Sequence, residues 1–199
     1  MTSREKILNA VRQGKPEALP MPEGIGFPSA FPSLTEQFAA VLQAIGGTFV
    51  PVDSLDEVGL YVQQHFGPTQ PIVSLVEGVA AGNVSPVLAD DPHQFDNLHL
   101  VLLRARIGVA ENGAVWVEER DALLRVLPFI PLHLAAVLRE EELVGNMHEA
   151  YRSLKVNSGY GATPGYGVFI AGPSKTADIE QSLVIGAHGP KSMTVFLVK

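Results

Sequence analysis

Four short runs, at residues 72–76, 98–104, 134–138 and 193–198, are apolar at almost every consecutive position. A strand with one wet face alternates polar and apolar side chains, because successive Cβ atoms point to opposite faces. Runs that do not alternate belong to strands buried on both faces, the condition of a parallel sheet covered by helices. None approaches the roughly 20 apolar residues that a membrane-spanning helix requires. The runs therefore predict a layered α/β domain, with a mostly parallel twisted sheet flanked by helices.

The intervening segments supply the helices. Residues 2–13 place Ile7, Leu8 and Val11 on one helical face, with Thr2 and Glu5 spaced as a capping box. Residues 14–33 contain Pro16, Pro20, Pro22, Pro28 and Pro32 and read as a linker. The expected organisation is an N-terminal helix and Pro-rich segment over 1–33, then one α/β domain over 34–199. Ser33 and Glu36 open a second helix with a stripe of Leu34, Phe38, Val41, Leu42 and Ile45, stopped by Gly46 and Gly47. A strand at 48–52 follows, then a helix carrying Leu55, Val58, Val62 and Phe66. Further strands are expected at 86–89, 114–118 and 168–171. Leu143, Val144, Met147, Tyr151 and Leu154 trace a last helix, with Glu140, Glu141 and Glu142 at its positive end.

A chain of 199 residues can bury one substantial core. Its net charge of −7, with no cluster of Lys and Arg, argues against a nucleic-acid surface. No apolar leader segment is visible near the start, so a cytoplasmic location is expected. The chain has no cysteine, which excludes disulfides, a thiolate nucleophile and thiolate-held zinc. An iron–sulfur cluster held by this chain alone is not expected either, since such clusters rely mainly on thiolates. The six histidines are scattered and none pairs at i, i+4, so no metal site is expected.

One stretch concentrates polar chemistry: Gly172-Pro173-Ser174-Lys175-Thr176-Ala177-Asp178-Ile179-Glu180, followed by Gly186-Ala187-His188-Gly189-Pro190. Pro173 forces a turn after a predicted strand. Asp178 and Gln181 have capping-box spacing, which would start a short helix and aim the loop's N–H groups at an anion. In a parallel sheet ligands sit beyond the carboxyl ends of strands, and this loop is expected on that rim. The same residues also suit a capped turn with no ligand.

Three blocks together resemble the LUD domain of bacterial lactate utilisation proteins, most closely their C subunit, over roughly residues 35–199. They are Gly108-Val109-Ala110-Glu111-Asn112-Gly113, then Pro131-Leu132-His133 ahead of an apolar strand, then the two-part stretch above. The resemblance implies the α/β fold shared by ribose-5-phosphate isomerase, glucosamine-6-phosphate deaminase and CoA transferases. It also implies an iron–sulfur-dependent, flavin-free oxidation of L-lactate to pyruvate, in which two cysteine-rich partner proteins hold the iron–sulfur clusters. This sequence departs from the family pattern at Asn112, where threonine is common, and at Lys175, where arginine is common.

Oxidising a 2-hydroxy acid needs a cation for the carboxylate, a base for the hydroxyl proton and an electron acceptor. Lys175 is the expected cation, with Arg104, Arg106 and Arg125 as alternatives. The expected ligand loop is Gly172, Ser174, Lys175, Thr176 and Asp178. His188, between small residues, is the first candidate base, and His133 the second. Glu111 is a third catalytic candidate, in a turn where Gly108 and Gly113 would let a ligand approach. No acceptor is visible: Gly159-Tyr160-Gly161-Ala162-Thr163-Pro164-Gly165 is glycine-rich but precedes a strand instead of joining strand to helix. Two other functions remain open from the residues alone. One is a stand-alone enzyme of the sugar-phosphate isomerase or CoA-transferase kind, using Glu111 and His188. The other is a ligand sensor or assembly protein without catalysis.

Overall fold

The computed structural model describes residues 1–17, 19–20, 26–86, 91–157, 165–177 and 182–199. In chain order the helices are α1 (Ser3–Gln13), α2 (Leu34–Ala44), α3 (Leu55–Phe66), α4 (Glu119–Ala122) and α5 (Met147–Asn157). The strands are β1 (Thr48–Val52), β2 (Ile72–Ser74), β3 (Leu100–Arg104), β4 (Ile107–Val109), β5 (Ala114–Glu118), β6 (His133–Arg139), β7 (Leu143–Val144), β8 (Gly167–Ile170), β9 (Lys175–Thr176), β10 (Val184–Ile185) and β11 (Ser192–Val198).

The four apolar runs become β2, β3, β6 and β11 of a five-stranded sheet in the order β1-β11-β6-β3-β2, parallel throughout. Their lack of alternation has the expected cause. Leu100, Leu102, Val137 and Phe196 face Val58 and Val62 of α3. Val101, Leu103, Leu138 and Val195 face the opposite way, into a core shared with Phe38 and Leu42 of α2. Both faces are dry, so both sets of side chains must be apolar.

A second sheet, β7-β4-β5-β8, covers part of the α2 side, through Val115 and Val117. Its β4–β5 and β5–β8 pairs are antiparallel. α5 closes its outer face around Ile107, Trp116, Ala150 and Leu154. This sheet corrects two expectations. The helix traced from Leu143 begins only at Met147: Glu140–Glu142 is a single 3-10 turn, and Leu143 and Val144 pair with Gly108 and Val109. α5 starts where it does because Asn146 Oδ1 accepts the Glu149 N–H at 3.0 Å and Glu111 Oε2 accepts the Met147 N–H at 3.1 Å. The strand before Gly172 is β8, in the second sheet, so that loop does not lie on the carboxyl rim of the parallel sheet.

Expectations that fall at 87–90, 158–164 and 178–181 lie outside the described residues. They are most of the weak strand at 86–89, most of the glycine-rich loop and the Asp178–Gln181 cap.

Residues 27–29 are docked on the start of α5. The Phe27 ring stacks on His148 at 4.4 Å, its carbonyl accepts from Asn146 Nδ2 at 2.7 Å, and the Ser29 N–H donates to Glu149 Oε1 at 3.3 Å. α1 has its full capping box, with Thr2 N–H donating to Glu5 Oε2 at 2.6 Å, yet none of its residues is buried.

Candidate functional site

The two halves of the polar stretch close on each other. Thr176 and Lys175 pair with Val184 and Ile185, and the Ser174 N–H donates to the Pro190 carbonyl at 2.9 Å. The Gly186 N–H donates back to the Ser174 carbonyl at 2.9 Å. The unit then joins the parallel sheet: the Lys191 N–H donates to the Leu132 carbonyl, and Ser192 lies in register with His133. Gly172 has φ +72°, and a Cβ there would stand 3.0 Å from the Ile45 carbonyl, just before β1. Gly172, Ser174, Lys175, Thr176, His188 and His133 thus gather at the amino ends of β1, β11 and β6, the edge opposite the expected rim.

Lys175 is committed to the fold. Its Nζ donates to the Ile45 carbonyl, the C-cap of α2, where a cation satisfies a terminal carbonyl and opposes the helix dipole. The three alternative arginines are also engaged. Arg104 donates to the Val137 carbonyl at 3.0 Å and to Glu142. Arg106 grips Asp121 with two bonds, at 2.8 and 2.6 Å. Arg125 pairs with Glu119 at 2.6 Å and lies over the Tyr166 ring.

The chemistry of this edge centres on His133. Its Nδ1 lies 2.6 Å from Ser192 Oγ, and its ring meets His99 edge-on at 4.8 Å and Phe66 at 5.4 Å. Burial, then the neighbouring His99 and Lys191, push the His133 imidazole down to about 4, so it is neutral at pH 7. Ser192, His99 and Lys191 carry no motif of their own. His133 and Ser192 are 59 residues apart, and only the β6–β11 pairing brings them together.

The depressed imidazole fixes the sign of a pH effect. The unfolded chain takes up the His133 proton near pH 6.5 and the folded chain only near 4, so stability falls as pH drops through that window. The ring is partly exposed, so the expected loss is on the order of 1 kcal/mol. Urea unfolding at pH 7 and pH 4.5 should show His133→Gln losing less stability on acidification than the parent chain. Equal losses would contradict the assignment.

The other two catalytic candidates behave differently. His188 is exposed, and no hydrogen bond engages it among the described residues. Glu111 caps α5 as described above, and its neighbouring glycines lie close against protein atoms. A Cβ at Gly108 would stand 2.3 Å from Leu138 Cδ2, and one at Gly113 would stand 3.0 Å from the Leu42 backbone nitrogen. Those glycines let the turn pack against α2 and β6. Asn112 holds the same turn, its Oδ1 accepting the Ala114 N–H at 3.0 Å.

At the carboxyl ends of β2, β3, β6 and β11 lies an open cleft of about 930 Å³. It is lined by Arg104, Arg106, Asp121, Arg139, Glu140 and Lys199 among others, in nearly balanced charge. Among the described residues, no group of three or more His, Asp or Glu is arranged to hold a metal ion. No helix among them is long and apolar enough to cross a membrane.

Comparison with known families matches residues 89–198 to the LUD domain. The chain belongs to the LUD-domain family. The match takes in β3 through β11, which includes the amino edge around His133 and Ser192 and all but the first two strands of the parallel sheet. Lactate utilization protein C of Deinococcus radiodurans is 27% identical over 206 aligned residues, covering 96% of this chain and 92% of that protein. Lactate utilization protein C of Shouchella clausii is 38% identical over 84 residues, or 42% of this chain. That alignment spans 37% of the Shouchella protein's length. The crystal structure of a DUF162 family protein from Deinococcus radiodurans superposes with a TM-score of 0.61 at 20% identity, over 83% of this chain and 96% of that one. It shows the same fold.

Proposed function

We propose that this LUD domain is a component of a bacterial L-lactate utilisation system, which binds a small 2-hydroxy acid at the amino edge of its parallel sheet. The near-full-length similarity to a lactate utilization protein C supports the pathway. The observation that supports the site is the neutral His133 held 2.6 Å from Ser192 beside Lys191. In this reading the Lys191 ammonium receives the carboxylate. The Ser192 hydroxyl accepts from Nδ1–H and so leaves Nε2 as the acceptor for the hydroxyl proton. A bound carboxylate raises the imidazole's affinity for that proton, because an opposite charge favours the charged form. Conversion of lactate to pyruvate releases two protons and two electrons: the hydroxyl proton passes to His133, the proton of the broken Cα–H bond passes to solvent, and the electrons pass to an acceptor on the cysteine-rich iron–sulfur partners. A chain without cysteine has no thiolates with which to hold such clusters.

The test is reconstitution. The purified chain alone is expected to leave L-lactate unoxidised, and the mixture with its iron–sulfur partners to reduce a dye in a lactate-dependent way. Lys191→Gln should raise the lactate KM by about tenfold or more, the size expected for loss of one charge-assisted contact. Turnover by the chain alone would overturn the reading, as would a mixture that works equally well without it. The geometry does not favour the Glu111–His188 enzyme reading, since Glu111 is occupied as the α5 cap.

A further inference from the structure

The cleft at the carboxyl ends of β2, β3, β6 and β11 takes no part in the lactate reading, which rests on the opposite edge. Open parallel sheets hold ligands beyond the carboxyl ends of their strands. At about 930 Å³ the cleft has the size of a site for a cofactor-sized molecule, and lactate would fill only a small part of it.

Its walls are of two kinds. Leu55, Val76, Val137 and Val198 all belong to the apolar cluster between α3 and the sheet, so the cleft is the open end of that core. Above them stand guanidiniums. Arg104 is spent on the Val137 carbonyl and Glu142, but Arg106 is held differently. Its Nε and Nη2 donate to Asp121, whose side chain is 8% exposed against 38% for Arg106. The carboxylate is thus on the protein side of the pair, and Nη1 has no partner among the described residues. Arg139 is more open still: its side chain is 63% exposed and meets Glu141 at 3.6 Å, too long for a hydrogen bond.

The backbone beside Asp121 is strained. Leu123 has φ +59°, and the Leu124 N–H donates to the Ala122 carbonyl at 2.6 Å, closing a three-residue turn of a rare kind. No other non-glycine residue among those described has a positive φ. Strain of this sort collects at ligand-binding sites. Charge then decides the class of ligand. The lining holds four cations and four carboxylates, so it does not concentrate a polyphosphate, which needs an excess of Lys and Arg. It suits one anionic group on a largely apolar body.

We propose that this cleft is a second ligand site, which takes an apolar organic monoanion larger than lactate. Arg106 and Arg139 receive its carboxylate or sulfonate, and Leu55, Val76 and Val198 cover its body. The site is separate from the amino edge, so this inference does not depend on the lactate reading.

Anilinonaphthalene sulfonate, an apolar body with one sulfonate, is the probe. Titrated into the full chain at pH 7, its fluorescence should saturate, and octanoate should displace it where L-lactate and inorganic phosphate do not. Arg139→Gln should weaken its binding about tenfold, the size of one charge-assisted contact, and should keep the parent's melting temperature because Arg139 is exposed. Arg106→Gln/Asp121→Asn removes both members of the pair and strands no buried carboxylate, and it should weaken binding at least as much. Lys191→Gln, at the other edge, should leave the titration unchanged. The proposal is overturned if the folded parent shows no saturable binding, or if neither cleft variant weakens it. Equal weakening by Lys191→Gln overturns it too.

Discussion

Phe38→Ala is expected to cost about 3–5 kcal/mol, the largest loss for any single side-chain truncation proposed for this chain. Phe38 is fully buried on α2 and meets Phe49 of β1 edge-on at 6.3 Å. Its ring also approaches the position where a Gly108 Cβ would stand, at 3.5 Å. Truncation therefore opens a cavity where α2, the parallel sheet and the second sheet meet, and none of the three layers can close it by a side-chain shift alone. Against a typical total stability of about 5–15 kcal/mol, the loss should lower the melting temperature by roughly 6–20 °C. Because α2 ends on the Lys175 ammonium, the same variant should also loosen the stretch from Gly172 to Thr176. Hydrogen exchange at the Ser174 and Gly186 amides would report that loosening. Unchanged melting would mean that Phe38 does not anchor the layers.

Gly113→Val is the second large effect expected, at about 2–5 kcal/mol. Two causes add. Gly113 has φ +68°, a left-handed conformation that costs a β-branched residue about 1–3 kcal/mol. Its Cβ would also press on the Leu42 backbone, with nitrogen at 3.0 Å and Cα at 3.1 Å, and a helix backbone yields less readily than a side-chain tip. Gly108→Ala should cost less, because the atoms it meets at 2.3 and 2.8 Å are the methyl ends of Leu138 and Leu143. Urea unfolding of the two variants, compared with the parent, gives the order directly. The reverse order would show that the turn relaxes where α2 was taken to be rigid.

These two glycines show how far a motif can be read without a structure. Glycine at 108 and 113 signals that something approaches closely, and at the level of sequence a ligand and a leucine send the same signal. Glu111 carries two readings for a related reason: a carboxylate in a glycine-bounded turn suits catalysis, and it suits the first turn of α5, where its Oε2 accepts the Met147 N–H. Lys175 is the same case, because a lone cation in a polar loop can serve a ligand's carboxylate or a helix's last carbonyl.

What the sequence determined by itself is the layered parallel core, the starts of α1 and α2 and the family. Non-alternating apolar runs admit few other solutions, and α1 and α2 begin after Thr2 and Ser33 because capping is a local interaction over three residues. The tertiary structure decided which edge the polar stretch occupies, and with it which residues the proposed site gathers. β8 belongs to a second, mixed sheet, so the chain leaves it toward the amino ends of the parallel strands instead of their carboxyl rim. His133, Ser192 and Lys191 meet only through the pairing of β6 with β11. Strand order and register are set by long-range packing of whole faces, which no local spacing encodes.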